Sequence, residues 1–170
     1  SLWRDYFHLA LSSHDKKNKV LDSSLNSFFE SLSLGQKIPP SRIILNNIIS
    51  SGTFFQNKRL MDLIQSTKKH SSSLHLIGYL PTRESAVSDL NHLSALLYQA
   101  KMQKIYNVYI HLITTDDSYD ENMLAMKKIT ELTKKFECGE IATVIGANYV
   151  AENSKKNPLA FNAIIDGRGT

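Results

Sequence analysis

The clearest pattern in the chain lies between residues 73 and 146, where apolar positions alternate between near-continuous runs and helical spacing. Leu74, Leu76, Ile77, Tyr79 and Leu80 make residues 74–80 a near-continuous apolar run, as expected of a strand covered on both faces. Leu90, Leu93, Leu97 and Ala100 then recur at helical spacing and predict a helix over 88–102. Met126, Ile129, Leu132 and Phe136 do the same for 121–136. Residues 105–113 and 140–146 are rich in β-branched and aromatic residues and read as strands. Strand, helix, strand, helix, strand, with helices of four turns, predicts parallel pairing through right-handed crossovers. The fold class is α/β: a parallel, Rossmann-like sheet flanked by helices.

The flanks are less regular. Leu2, Trp3, Tyr6, Phe7, Leu9 and Leu11 form a short aromatic-apolar segment, followed by a polar break and a stretch rich in serine and leucine. Pro39-Pro40 ends that stretch, because proline biases its predecessor away from helix. Residues 1–40 therefore read as an N-terminal appendage and 41–170 as the α/β domain. Ser41 is the expected N-cap of a helix over 42–50, with Gly52 as its stop. A second helix over 58–69 carries Leu60, Leu63 and Ile64 on one side, and 159–165 forms a last helix after Pro158.

Composition narrows the function classes. The 170 residues can bury a real core. The net charge of +4 is mild and scattered in the pairs Lys68–Lys69, Lys127–Lys128, Lys134–Lys135 and Lys155–Lys156. Such pairs read as solvated faces and ends of helices, so no nucleic-acid partner is expected. One cysteine, Cys138, excludes an internal disulfide and a cysteine metal cage. It falls at a helix end, where the dipole disfavours a thiolate, and reads as inert. No apolar run approaches the roughly 20 residues that span a bilayer, and no signal peptide opens the chain. A cytoplasmic setting is the expectation. A start at Ser1-Leu2-Trp3 rather than Met suggests a piece of a longer protein.

Open parallel sheets bind ligands outside the carboxyl ends of their strands, which here means residues 81–87, 114–120 and 147–158. Asp116, Asp117, Asp120 and Glu121 suit either a hard divalent cation or the capping of a helix start. His75, His92 and His111 lack a companion at ligand spacing and read as packing groups. Arg83 with Lys155 and Lys156 offers an anion grip at the sheet mouth. Gly78 and Gly146 read as close backbone approaches at strand ends. Phe54-Phe55 and the Trp3–Phe7 segment read as packing against core or a neighbouring domain rather than as base-stacking platforms.

Five segments in register carry a family resemblance: Gly52-Thr53-Phe54-Phe55-Gln56-Asn57, Leu74-His75-Leu76-Ile77-Gly78-Tyr79-Leu80, His92-Leu93-Ser94-Ala95-Leu96-Leu97, Val108-Tyr109-Ile110-His111, and Gly139-Glu140-Ile141-Ala142-Thr143-Val144-Ile145-Gly146. Together, from about Asn26 to Asn157, the chain resembles the inserted phosphotransferase domain of cofactor-independent phosphoglycerate mutase. The resemblance implies a parent with a second domain, similar to alkaline phosphatase, that holds two manganese ions; this chain itself is expected to hold no cofactor. It also implies a serine that carries the phosphoryl group, within Asn-Ser-Glu-Val-Gly-His and a following Asn-Leu-Gly-type turn. Asn26, Ser27 and Gly35 match that pattern, making Ser27 the candidate nucleophile, while Phe28, Glu30 and Ser31 depart from it. As a nucleophile Ser27 needs an activating metal or base; its other reading is a turn or cap serine among Ser23, Ser24, Ser31 and Ser33.

The substrate loops depart further. Asp-Gly-Gly-Val-His-Ser-His becomes Thr82-Arg83-Glu84-Ser85-Ala86-Val87-Ser88-Asp89 and, anchored on His92, the two histidines fall at Val87 and Asp89. Asp-Gly-Arg-Asp-Thr becomes Thr115-Asp116-Asp117-Ser118-Tyr119, and the later arginines become Ala147 and Asn153. Phosphoryl transfer depends on positioning and charge neutralisation, so aspartate for arginine replaces a bidentate donor with a repelling anion. Valine transfers no proton. The expected reading is a diverged, catalytically inactive substrate domain acting as a binding or assembly module, with Arg83, Ser88, Asp89, Asp117 and Asn148 as remnant substrate contacts. The alternative is the substrate-domain part of a manganese-dependent mutase or related phosphotransferase using Ser27. Expected partners are an alkaline-phosphatase-like domain of the same parent, another protein, or a phosphate-bearing small molecule.

Overall fold

The computed structural model describes residues 41–82, 85, 88–114, 118–151 and 154–169. The Ser27 region and Trp3–Phe7 lie outside them. The elements run α1 (Ser41–Ser50), a 3-10 turn (Thr53–Gln56), α2 (Lys58–Lys69), β1 (Leu74–Tyr79), α3 (Leu90–Met102), β2 (Val108–Thr114), α4 (Tyr119–Phe136), β3 (Glu140–Gly146), a second 3-10 turn (Ala147–Tyr149) and α5 (Asn157–Ile165).

The strands form one parallel sheet in the order β1-β2-β3. Two right-handed crossovers stepping the same way place both connecting helices on one face. The core has that composition. Leu97 and Ala100 of α3 and Ala125 and Ile129 of α4 cluster with Leu74 of β1 and Val108, Ile110 and Leu112 of β2. From α2, Ile64 joins the same cluster. Leu97 and Ile129 are fully buried, each contributing about 1.5–3 kcal/mol of transfer free energy. The expected α/β architecture is therefore present.

Capping accounts for the helix boundaries. The Asn57 side chain accepts from the Leu60 amide at 3.0 Å to start α2. Ser118 accepts from the Glu121 amide at 3.3 Å, so α4 begins at Tyr119 rather than at 121. Asp120 and Glu121 occupy its first turn and Lys134 and Lys135 its last, each complementing the helix dipole. Gly52, at φ 78°, ends the α1 region as expected. Ser41 lies inside α1 rather than before it.

Three further expectations are corrected. The second strand starts at Val108, not at 105, because Lys104 turns left-handed at φ 60° and the Ile105 amide bonds back to the Ala100 carbonyl at 2.9 Å. Ile105 is still buried, which explains its apolar character. Secondly, β1 is not covered on both faces: on the face opposite the buried Leu74, His75 is exposed and Ile77 is 47% exposed. Thirdly, Gly78 is no close approach, since a Cβ there would meet nothing within 4 Å. The tight position is Gly139, at φ 91°, where a Cβ would stand 2.9 Å from Leu97 Cδ2 and 3.2 Å from Ile110 Cδ1.

Those two glycines give a matched test. Gly139→Ala combines a left-handed backbone with a clash into the core and should cost about 1–3 kcal/mol. Gly78→Ala should change stability by no more than about 0.5 kcal/mol. Urea denaturation of both variants checks the contrast; equal midpoints would refute the packing account of Gly139.

Candidate functional site

The strand ends open at Leu80 after β1, Thr114 after β2 and the 3-10 turn after β3. Leu80 is fully buried and its amide bonds to the Ile113 carbonyl at 2.8 Å, which anchors the first loop to the sheet. The Ser88 hydroxyl donates to the Leu80 carbonyl at 3.0 Å. A hydroxyl has one proton, so in the 2.7 Å contact between Ser85 Oγ and Ser88 Oγ the donor is Ser85. The Ser88 amide returns a bond to Ser85 Oγ at 3.0 Å. Ser88, an expected substrate contact, thus has its proton engaged within the loop.

Asp89 is engaged more fully. Its Oδ1 accepts from the Asn91 amide at 2.9 Å, making it the N-cap of α3. Its Oδ2 accepts from Arg42 Nε at 2.8 Å and from Asn46 Nδ2 at 3.2 Å. Arg42 Nη1 also donates to the Ser85 carbonyl at 3.2 Å, so α1 clamps both ends of the 85–89 segment. Burial pushes the Asp89 carboxyl up, but the Asn91, Arg42 and Asn46 hydrogen bonds and the Arg42 charge outweigh it, and the net shift is downward.

Arg42 and Asn46 are partners of Asp89 that sequence reasoning passed over. A signal existed: they stand four apart on the helix predicted over 42–50 and so share a face. Nothing in the sequence indicated that this face meets residue 89.

The other expected site residues divide. Arg83 and Asp117 lie outside the described residues. Asn148 is exposed on the turn after β3, its carbonyl accepting from Ser154 Oγ at 2.8 Å. Two strand spacings, about 10 Å, separate β1 from β3, so Asn148 and the Ser88–Asp89 pair sit on opposite flanks of the mouth. Of the lysines proposed as an anion grip, Lys156 stands over the Tyr149 ring at 4.8 Å and Lys155 is exposed.

His111 and Cys138 are buried, and the exposed His75 stacks on His111 at 5.2 Å between ring centroids. His111 is 2% exposed, with Nδ1 2.9 Å from Thr143 Oγ1 and Nε2 2.9 Å from His75 Nδ1. Burial, then the neighbouring His75, lowers its pKa. For His92 burial again lowers the pKa, with Asp89 opposing and Arg42 reinforcing the shift. Burial raises the Cys138 thiol against a weaker opposing effect of Lys101, and the sulfur points to the Ile105 carbonyl at 3.5 Å. Phe54 is 2% exposed and meets Phe55 edge-on at 5.4 Å, so this pair packs into the fold. Among the described residues, no group of three or more His, Cys, Asp or Glu could hold a metal ion. No described helix is long and apolar enough to cross a membrane.

The Asp89 network carries a pH signature. Its folded-state carboxyl titrates below its unfolded value, so its stabilisation is present above about pH 4 and is lost as pH falls through the folded-state value. Asp89→Ala removes cap and ion pair and should cost about 1–2 kcal/mol at pH 7, a figure kept low because Arg42 is 41% exposed. Urea midpoints of variant and parent should converge between pH 7 and pH 3; a constant gap would contradict the ionic contribution.

Comparison with known proteins agrees with the fold and the motif order. Residues 45–170 match the family model described as the BPG-independent PGAM N-terminus. A protein of Microcystis aeruginosa named 2,3-bisphosphoglycerate-independent phosphoglycerate mutase is 30% identical over 99% of this chain and 34% of its own length. Proteins of the same name from Acetivibrio thermocellus and Clostridium botulinum are 34% and 35% identical over 71% of the chain, covering 24% and 25% of their lengths. The chain thus spans between a quarter and a third of these curated relatives. With the sheet order, the five motifs and this family match in agreement, the chain belongs to the family of BPG-independent phosphoglycerate mutase N-terminal domains.

Proposed function

We propose that this chain is a diverged substrate domain that no longer supports mutase chemistry and acts as a binding or assembly module. Its partner in that role is an alkaline-phosphatase-like domain of the same parent polypeptide or another protein, in a cytoplasmic setting. The observation that carries the reading is Asp89. It stands where the family pattern has a histidine, and both carboxylate oxygens are held by Asn91, Arg42 and Asn46. An ionised carboxylate with a lowered pKa accepts hydrogen bonds but has no proton to give a leaving oxygen near neutral pH.

The substitutions nearby act in the same direction. Val87 and Asp117 replace a proton-transferring imidazole and a phosphate-gripping guanidinium of the family pattern. Asn148 keeps neutral hydrogen-bonding capacity, while Arg83 is a cation that could still hold a phosphate-bearing small molecule. Titrating the 170-residue chain with 3-phosphoglycerate should give no saturable heat below about 1 mM. The full-length parent supplied with manganese should not interconvert 3- and 2-phosphoglycerate; robust turnover would remove the inactive reading.

A second reading rests on Asn26, Ser27 and Gly35, which keep the family's serine pattern. In it, the parent is a manganese-dependent phosphotransferase acting through Ser27, with the metal held outside the residues described here. Mass spectrometry of the parent after incubation with phosphoglycerate and manganese distinguishes the two. Phosphate on Ser27 favours the second reading; an unmodified serine favours the first.

A further inference from the structure

Leu74, Val108, Ile110 and Leu112 turn toward α3 and α4, so by strand alternation His75, Tyr109 and His111 lie on the opposite face of the sheet. That face carries a chain of polar side chains, one from each strand. His75 Nδ1 of β1 lies 2.9 Å from His111 Nε2 of β2, and His111 Nδ1 lies 2.9 Å from Thr143 Oγ1 of β3. The imidazole planes are within 11° of parallel, with centroids 5.2 Å apart. His111 is 2% exposed, whereas His75 is exposed.

Hydrogens fit this chain in few ways. With both rings neutral, either His75 donates to His111 and His111 to Thr143, or every bond runs the other way. An added proton leaves one direction. A single hydrogen then lies between His75 Nδ1 and His111 Nε2, and His111 Nδ1 must donate to Thr143. Burial disfavours a charge on His111, so the exposed ring carries it. A second proton would put two N–H groups head to head across 2.9 Å, and the contact could not persist.

The surroundings offer little to hold that second charge. Burial and then His75 cause the His111 shift, with no carboxylate among its causes. Tyr109, with its ring 5.3 Å from that of His75, Tyr79 of β1 and the exposed Glu140, paired with Tyr109, are the neighbouring titratable groups on these strands. Phenols are neutral where imidazoles titrate, and burial raises the Tyr79 hydroxyl further. From α5, which packs against β3, no charged residue arises between Asn157 and Ile165. On the other face, α3 and α4 meet the sheet through Leu97, Ala100, Ala125 and Ile129.

We propose that His75 and His111 form a proton switch that holds one proton and rejects two: the first fixes the direction of the His111–Thr143 bond, and the second parts the rings and loosens β1 from β2. The switch does not rest on the function proposed above. Its sign follows from the neutral state of His111 in the fold. The folded-state ring titrates below its unfolded value, so its stabilisation is present above about pH 6.5 and is lost as pH falls through the folded-state value.

The test is a set of ¹H–¹⁵N spectra of the histidine rings of the 170-residue chain between pH 8 and pH 5, with amide exchange measured alongside. Where His75 carries the proton, His111 should show a protonated Nδ1 and a bare Nε2. Opening takes up one proton, so protection of the β1 amides should fall about tenfold per pH unit below about pH 6.5, and by more than in α4. His75→Asn keeps a neutral amide that can turn to accept from His111. In that variant His111 should titrate at higher pH than in the parent, and the loss in β1 should flatten. If His75→Asn does not fold, His75→Ala, a truncation at an exposed site, should raise the His111 titration in the same way. A bare His111 Nδ1 opposite a charged His75, β1 protection that tracks α4, or the same His111 titration in variant and parent would overturn the proposal.

Discussion

The constraint on which the rest of this fold depends is the double burial of β2. It pairs with β1 on one side and β3 on the other, and five of its side chains, Val108 and Ile110 through Ile113, are buried. Such a strand admits apolar residues on both faces, and His111 is the exception. A buried imidazole must have both nitrogens satisfied, or it costs about 1–3 kcal/mol. Thr143 satisfies one and His75 the other, so a single residue of the central strand ties the two outer strands to it. The irregularity in β3 belongs to the same solution. Pairing passes from Ile110↔Ile141 to His111↔Thr143, skipping one residue. Without that bulge Ala142 would oppose His111, and no hydroxyl would meet its Nδ1.

Much of this was legible in the sequence, and the limits have physical causes. The helical spacing of Leu90, Leu93 and Leu97 and of Met126, Ile129 and Leu132 reported α3 and α4 correctly, because both helices bury one stripe on the sheet. The run 74–80 was harder to read. An apolar run does not say which of its faces is covered; that depends on what packs against the sheet, and here the face carrying His75 and Ile77 is exposed. Helix starts shifted for a related reason. Several of the polar residues before α4 were eligible caps, and Ser118 takes that place. Gly139 was unreadable as a tight point because its obstructing neighbours, Leu97 and Ile110, come from two other elements.

The site was legible in position but not in wiring. The strand-end rule pointed to the 81–87 loop, and the residues beside it do form a dense polar network. Its organiser, Arg42, comes from a helix 47 residues earlier in the chain. A guanidinium offers a rigid fork of donors, and here that fork spans the Asp89 carboxylate and the Ser85 carbonyl. A lysine would present a point charge and could not hold both acceptors in that fixed geometry.

On the inactive reading proposed above, this wiring is how a reactive scaffold would lose its reaction while keeping its shape. A catalytic group must leave some bonding capacity unused, since substrate has to complete it. At this loop the capacity is consumed from within: the Ser88 proton goes to Leu80, and the Asp89 oxygens go to α3 and α1. Each such bond adds local stability and, on that reading, occupies a group that a substrate would otherwise meet. Asp89 strengthens the start of α3 by capping it. The apolar stripes of α3 and α4, which have no chemical role to lose, remain the most readable feature of the chain.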